Sequence, residues 1–176
     1  MSPARLRRPS SPLGGEREGA SLGRVLDFMR LLWAVNHGLT RISKHMERAL
    51  GVTGPQRLVV RIVGQRPGIS AGKLAEVLHV HPSTLTGVLK RLVGRGAMER
   101  TRDPADSWRA QFCLTRKGRD LDAVRSGTVE AHVRTALALL RDEGLAAAAR
   151  VLGRLAEALS PPRAKPQPPR RRRIRA

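Results

Sequence analysis

The sequence is nearly devoid of aromatic side chains and of cysteine. Of its 176 residues only Phe28, Trp33, Trp108 and Phe112 are aromatic, and tyrosine is absent. Single-stranded nucleic acids are gripped by stacking successive bases on aromatic platforms, so that mode of binding is excluded. A core without aromatics has to be built from Leu, Val, Ala and Ile, which suits packed helices. Cys113 stands alone, which rules out an internal disulfide and a cysteine-built zinc site. No apolar run approaches the ~20 residues that span a bilayer. The charged N-terminus is not followed by the apolar stretch of a signal peptide. The expected setting is the reducing cytoplasm, with no membrane partner.

Acidic residues are scarce too: 14 Asp and Glu against 34 Lys and Arg give a formal net charge of +20. A surplus of this size points to a polyanionic partner, nucleic acid before all others. Residues 1–20 contribute +2 and residues 160–176 contribute +7, which leaves +11 on residues 21–159. The tails therefore do not explain the charge. Residues 1–20 mix Pro, Ser, Gly and Arg without a hydrophobic period and are expected to be a disordered basic arm. Residues 160–176, with five prolines and the arginine run 170–173, are expected to be a disordered tail that either clamps DNA phosphates or only solubilises the chain. No amphipathic face accompanies the tail charge, which disfavours a membrane surface.

Between the tails the pattern is regular and fits a single domain. Phe28, Leu32, Val35, Leu39, Ile42, Met46 and Ala49 recur at steps of four and three, predicting one helix over 22–50 that stops at Gly51. Thr53 caps a second helix, with Gly54 and Pro55 in its first turn and Leu58, Ile62 and Val63 as its apolar face. Arg66, Pro67 and Gly68 end it. A short third helix begins at Ser70 and buries Leu74, Ala75 and Leu78. Pro82 opens a fourth that runs to about Arg95 before Gly96, burying Leu85, Val88 or Leu89, and Leu92. Two short helices joined tightly, the second with a basic outer face, form a helix-turn-helix signature. A hairpin follows. One strand covers 98–102, the turn holds Asp103, Pro104, Ala105, Asp106 and Ser107, and the return strand covers 108–114 with alternating Ala110, Phe112 and Leu114. Thr115 opens a helix over about 116–140. A last helix starts at Asp142 and Glu143 and repeats Leu145, Ala148, Val151, Leu152, Leu155 and Leu159.

This order resembles the MarR family of regulators. The resemblance is carried by residues 71–76 (AGKLAE), 81–86 (HPSTLT) and 90–96 (KRLVGRG), then by Glu99, Arg100, Asp103, Pro104, Asp106, Leu114, Thr115 and Gly118. It implies a mainly α fold with a small β-hairpin wing. Residues 53–115 would form the winged helix-turn-helix, and residues 22–52 and 116–159 the helices of a homodimer. It also implies a sequence-specific regulator of transcription, a repressor, bound to double-stranded DNA at a pseudo-palindromic operator. Two recognition helices would enter successive major grooves roughly 34–36 Å apart.

The fourth helix fits the major groove. Ser83, Thr84 and Thr86 present hydroxyls for bases or phosphates, and Lys90 lies one turn further on. Arg91 and Arg95 are placed to meet phosphates, and Ser70 starts the preceding helix. Two departures from the family pattern stand out. Gly87 occupies a place where a long polar residue is common, so fewer bases are read there or the backbone comes closer. In the wing, Asp106 is followed by Ser107 and Trp108, with Arg109 one place late. Arg109, Arg102 and Arg100 are then the candidates for the minor groove, and Trp108 either wedges against the DNA or packs under the hairpin.

Family members bind small aromatic or anionic effectors, and Trp33, His37 and Arg41 share one helix face where such a molecule could lie. Cys113 sits in a wing strand, unlike the first-helix cysteine of peroxide-sensing relatives, and reads as passive. The five histidines show no i, i+4 pair, so no metal or cofactor is expected. No nucleophile–base pair or Gly-rich phosphate loop suggests an enzyme. The competing reading is a sequence-tolerant architectural protein that coats or bends DNA.

Overall fold

A computed structural model describes residues 22–102 and 110–159. Both tails, and 103–109 with Ser107, Trp108 and Arg109, lie outside the described residues. The elements run α1 (Arg24–Leu50), α2 (Gly54–Gln65), β1 (Ile69–Ser70), α3 (Ala71–Leu78), α4 (Pro82–Gly94), β2 (Met98–Arg102), β3 (Ala110–Leu114), α5 (Arg116–Ala123), α6 (Val129–Leu137) and α7 (Asp142–Leu159). The chain divides into two compact units, with the boundary at His37 inside α1. Among the described residues, no helix is long and apolar enough to cross a membrane.

In the first unit, α1 leaves Val25, Leu26, Met29 and Trp33 exposed. In the second, Met46 is the buried residue of α1, and Gly51 ends the helix in the left-handed region with φ 72°. Thr53 then starts α2 with a reciprocal cap. Its side chain accepts from the Gln56 amide, and the Gln56 side chain accepts from the Thr53 amide at 3.1 Å. Four orphan amides begin every helix, and this pairing satisfies two of them. The core gathers Val59, Val60 and Val63 of α2, Leu74 and Ala75 of α3, Leu85, Leu89 and Leu92 of α4, and Met98, Phe112 and Leu114 of the strands. Aliphatic residues fill it almost alone, as the composition requires.

The sheet has three strands in the order β1-β3-β2, all antiparallel. The hairpin expected from sequence is therefore the larger part of a sheet in which Ile69 and Ser70 pair with Phe112 and Gln111. The alternation along β3 holds, with Phe112 and Leu114 buried.

Two expectations are corrected. The apolar face assigned to α2 holds at Val63 and at the partly buried Ile62 but fails at Leu58, which is 51% exposed, while Arg57 is only 1% exposed and Val59 and Val60 are buried. The single helix expected over 116–140 is two helices. α5 ends with Val124 extended, Gly127 has φ 67°, and Thr128 caps α6 by accepting from the Ala131 amide.

Both corrections have one cause. The Arg57 guanidinium donates to the carbonyls of Leu121, Asp122 and Val124, the last at 2.7 Å, and to Glu130 Oε1 at 2.7 Å. The last carbonyls of a helix have no partner of their own, and a cation there also matches the helix dipole. Arg57 thus ends α5 and pairs with the first turn of α6. Partial burial works against the charge of Glu130. Bonds from its own backbone N–H, Arg57 and Thr128 outweigh it and hold the carboxyl below its ordinary range. Arg61 adds a second tie, to Asp122 Oδ1 at 2.7 Å.

Candidate nucleic-acid interface

The helix-turn-helix is set by its caps. The Ser70 side chain accepts from the Lys73 amide at 3.3 Å and starts α3. His79 ends it with φ 51°, a conformation that histidine tolerates better than most side chains. After one further residue, His81 caps α4: its Nδ1 accepts from the Ser83 amide at 3.3 Å and lies 2.7 Å from Ser83 Oγ. The imidazole therefore orients the first hydroxyl of the helix. Pro82 takes the first helical position, where the missing N–H costs nothing.

Leu85, Leu89 and Leu92 fix which side of α4 faces the core. At 100° per residue, Ser83, Gly87, Lys90 and Arg91 fall on the opposite side, with Thr84 and Thr86 flanking them. Ser83, Thr84, Thr86, Lys90, Arg91 and Arg95 are all exposed. The Thr86 hydroxyl donates to the Pro82 carbonyl at 2.9 Å, so it faces outward as an acceptor. Such an acceptor suits the amino groups of cytosine or adenine. Around Gly87 there is open space, with the Arg91 guanidinium 4.0 Å from where a Cβ would stand.

The far end of α4 is anchored by Thr115 and Gly118, read from the sequence only as a helix start and a family position, and by Lys117, which the sequence reading missed. Lys117 Nζ donates to the Arg95 carbonyl at 2.9 Å, and Thr115 Oγ1 donates to the Gly96 carbonyl at 2.6 Å. Gly118 packs directly on this corner: a Cβ there would stand 2.0 Å from the Ala97 carbonyl oxygen. The Thr-x-x-Gly spacing from 115 to 118, directly after a strand, was the available signal.

A cleft of about 920 Å³ opens between α3, α4 and the sheet, with Ser70, Lys73, Thr86, Lys90, Arg100 and Phe112 on its walls. Four of the sequence-predicted residues, Ser70, Thr86, Lys90 and Arg100, meet there. The other predicted residues of α4, Ser83, Thr84, Gly87 and Arg91, do not line the cleft. Arg102 is exposed at the end of β2, and Arg109 lies outside the described residues. Lys73 was not foreseen. It pairs with Glu76 at 3.1 Å, but both are more than half exposed, so the ion pair is weak and the lysine can exchange partners. On α1, Trp33, His37 and Arg41 are each exposed. Among the described residues, no cluster of His, Cys, Asp and Glu could hold a metal ion.

Comparison with known proteins gives a consistent picture. The model of the MarR family matches residues 52–107. The HTH-type transcriptional regulator TtmR of Methylorubrum extorquens is 32% identical over 107 residues, covering 61% of this chain and 54% of that protein. The HTH-type transcriptional repressor Rv2887 of Mycobacterium tuberculosis is 35% identical over 106 residues, covering 60% of this chain and 66% of that one. The chain thus spans about half to two thirds of the length of these curated relatives. Among solved structures, a mutant MarR of Escherichia coli complexed with operator DNA superposes with a TM-score of 0.60 at 25% identity. That match covers 74% of this chain and 94% of that one.

Proposed function

We propose that the chain, which the MarR family model matches over residues 52–107, is a sequence-specific transcriptional regulator of that family, a repressor that acts in the cytoplasm as a homodimer on a pseudo-palindromic operator. One observation carries this reading: α4 turns its leucines to the core and an uninterrupted stripe of hydroxyl, glycine and basic residues outward. Ser83, Thr84 and Thr86 read base edges, and Lys90 and Arg91 hold flanking phosphates. Arg95 extends the phosphate contacts beyond the helix. Ser70, which caps α3, and Lys73 in its first turn add contacts to the DNA backbone, and one of Arg100, Arg102 and Arg109 serves the wing. Phosphate contacts orient the protein and base contacts give the sequence preference.

The homodimer is supported by apolar side chains left uncovered in each unit. Val25, Leu26, Met29 and Trp33 are exposed in α1, and Leu145, Val151, Leu152 and Leu159 in α7. A second copy burying both sets satisfies them by two-fold symmetry. A small aromatic or anionic effector then releases the operator by favouring a dimer whose reading heads no longer match it.

The test is selection from a random duplex library by the full chain at physiological salt. A pseudo-palindromic consensus is expected. Binding with no consensus would favour a sequence-tolerant architectural protein, the reading to which Gly87 and the basic tail lend weight. Absence of binding would overturn both.

A further inference from the structure

The link between α5 and α6 lies within residues 116–159, assigned above to the dimer, and separates α5, seated on the DNA-reading part, from α6 and α7. α5 belongs rigidly to the reading part: Gly118 sits on Ala97, and Lys117 holds the Arg95 carbonyl at the end of α4. α6 and α7 carry the exposed apolar residues Val133, Leu137, Val151 and Leu152. Between them, Val124 is extended and Gly127 has φ 67°, so no continuous helical ladder resists bending there. Resistance comes instead from two arginines of α2, chiefly Arg57, with Arg61 held by Asp122 at 2.7 Å and lying 3.9 Å from Glu130. Arg57, rooted in α2, grips the α5 side through the Leu121, Asp122 and Val124 carbonyls and the α6 side through Glu130.

We propose that Arg57 and Glu130 form a lock that sets the angle of this bend and thereby the separation of the two recognition helices in the dimer. The inference rests on the dimeric DNA-binding reading given above. Arg57 is a positioning residue: it is 1% exposed and cannot touch DNA itself. Its leverage is geometric. Across a domain of about 30 Å, a 10° change at the bend moves the far side by about 5 Å, more than the ~3.4 Å rise of one nucleotide along a strand of the duplex. A loosened lock therefore relaxes the demand for one half-site spacing while leaving the bases read by α4 unchanged.

The experiment uses the full chain and the operator selected by the wild type, with the spacer between half-sites lengthened or shortened by one base pair. Binding is followed by fluorescence anisotropy. The wild type is expected to lose at least tenfold in affinity on either change. Glu130→Gln keeps an acceptor and the side-chain length but removes the charge. It is expected to retain the same preferred half-site and lose threefold or less on the spacing changes. Arg57→Lys, which keeps the charge but cannot reach three carbonyls and Glu130 together, should relax the spacing demand at least as far. A folded Glu130→Gln or Arg57→Lys protein with the full wild-type spacing penalty overturns the lock. A wild type that selects no two-fold operator overturns the dimeric reading, and the lock with it, so the two failures are told apart by the wild type alone.

Discussion

Replacing Gly118 with alanine tests how the recognition helix is anchored. The added Cβ would stand 2.0 Å from the Ala97 carbonyl oxygen, 3.1 Å from the Ala97 carbonyl carbon and 3.2 Å from Leu114 Cβ. Ordinary carbon–oxygen contacts begin near 3.3 Å, so backbone has to separate by more than about 1 Å. Ala97 is fully buried. Its N–H donates to the Leu92 carbonyl at 3.0 Å, and its own carbonyl accepts from the Thr115 amide at 3.2 Å. Moving it pulls on α4, and moving α5 instead breaks the bonds that Thr115 and Lys117 make to the Ala97, Gly96 and Arg95 carbonyls. Overpacking costs about 1–3 kcal/mol, and each broken buried hydrogen bond about 1 kcal/mol. A total near 3–4 kcal/mol would lower Tm by roughly 6–16 °C for a chain of this size. Calorimetry of wild type and Gly118→Ala at matched protein concentration reads the shift. Gly72→Ala serves as the control, since its Cβ would meet nothing within 4 Å. A Gly118→Ala Tm within about 2 °C of wild type would refute the seating of α5 on Ala97.

Lys90→Ala should weaken binding to every duplex tested and reduce the salt slope by about 1. Thr86→Ala should instead change the selected sequence, and both can be read by anisotropy across a panel of operators. Thr53→Ala removes the reciprocal cap of α2 and should cost about 1 kcal/mol, seen as a shifted urea midpoint with an unchanged slope. Glu130 is held below its ordinary range in the folded chain, so the native state binds fewer protons than the unfolded one. Its contribution is complete above the unfolded glutamate range and is lost as pH falls through the folded value. Acid unfolding of Glu130→Gln should therefore show a shallower loss of stability below that range than wild type. Deleting 160–176 should flatten the dependence of affinity on salt, by about 0.9 in log-log slope for each phosphate that the tail no longer neutralises, while the preferred site stays the same. An unchanged slope would mean that the tail does not touch DNA.

The helix starts were legible because caps act locally. Thr53, Ser70 and Thr115 each satisfy an amide three residues on, and Pro82 is seen in the sequence as a first helical residue. The recognition face was legible for a related reason, since three leucines fix which side of α4 is inside. What escaped was non-local. β1 is two residues long and exists only because β3 lies beside it, and no periodicity appears in two residues. The break after α5 had local signs in Gly127 and Thr128, but the flanking residues suit a continuous helix. Its physical reason is an arginine more than 60 residues earlier. That arginine was not singled out from the sequence, because no apolar period marks a buried charge, and Leu58 beside it was assigned to the core instead. The cation of the cleft that went unforeseen, Lys73, is paired along its own helix and reads from sequence as an ordinary solvent-exposed i, i+3 partner.

The bonds that Arg57 makes also determine where this chain is free to change over evolutionary time. Three of its four acceptors are main-chain carbonyls, at 121, 122 and 124. Any residue supplies a carbonyl, so Arg57 imposes no side-chain identity on those positions. Selection for the bend falls instead on two side chains 73 positions apart in the sequence, Arg57 and Glu130. Asp122 is held by a separate partner, Arg61. Because Arg61 also lies 3.9 Å from Glu130, close relatives that keep this bend should change 57, 61, 122 and 130 as one linked group, while 121 and 124 drift without reference to it.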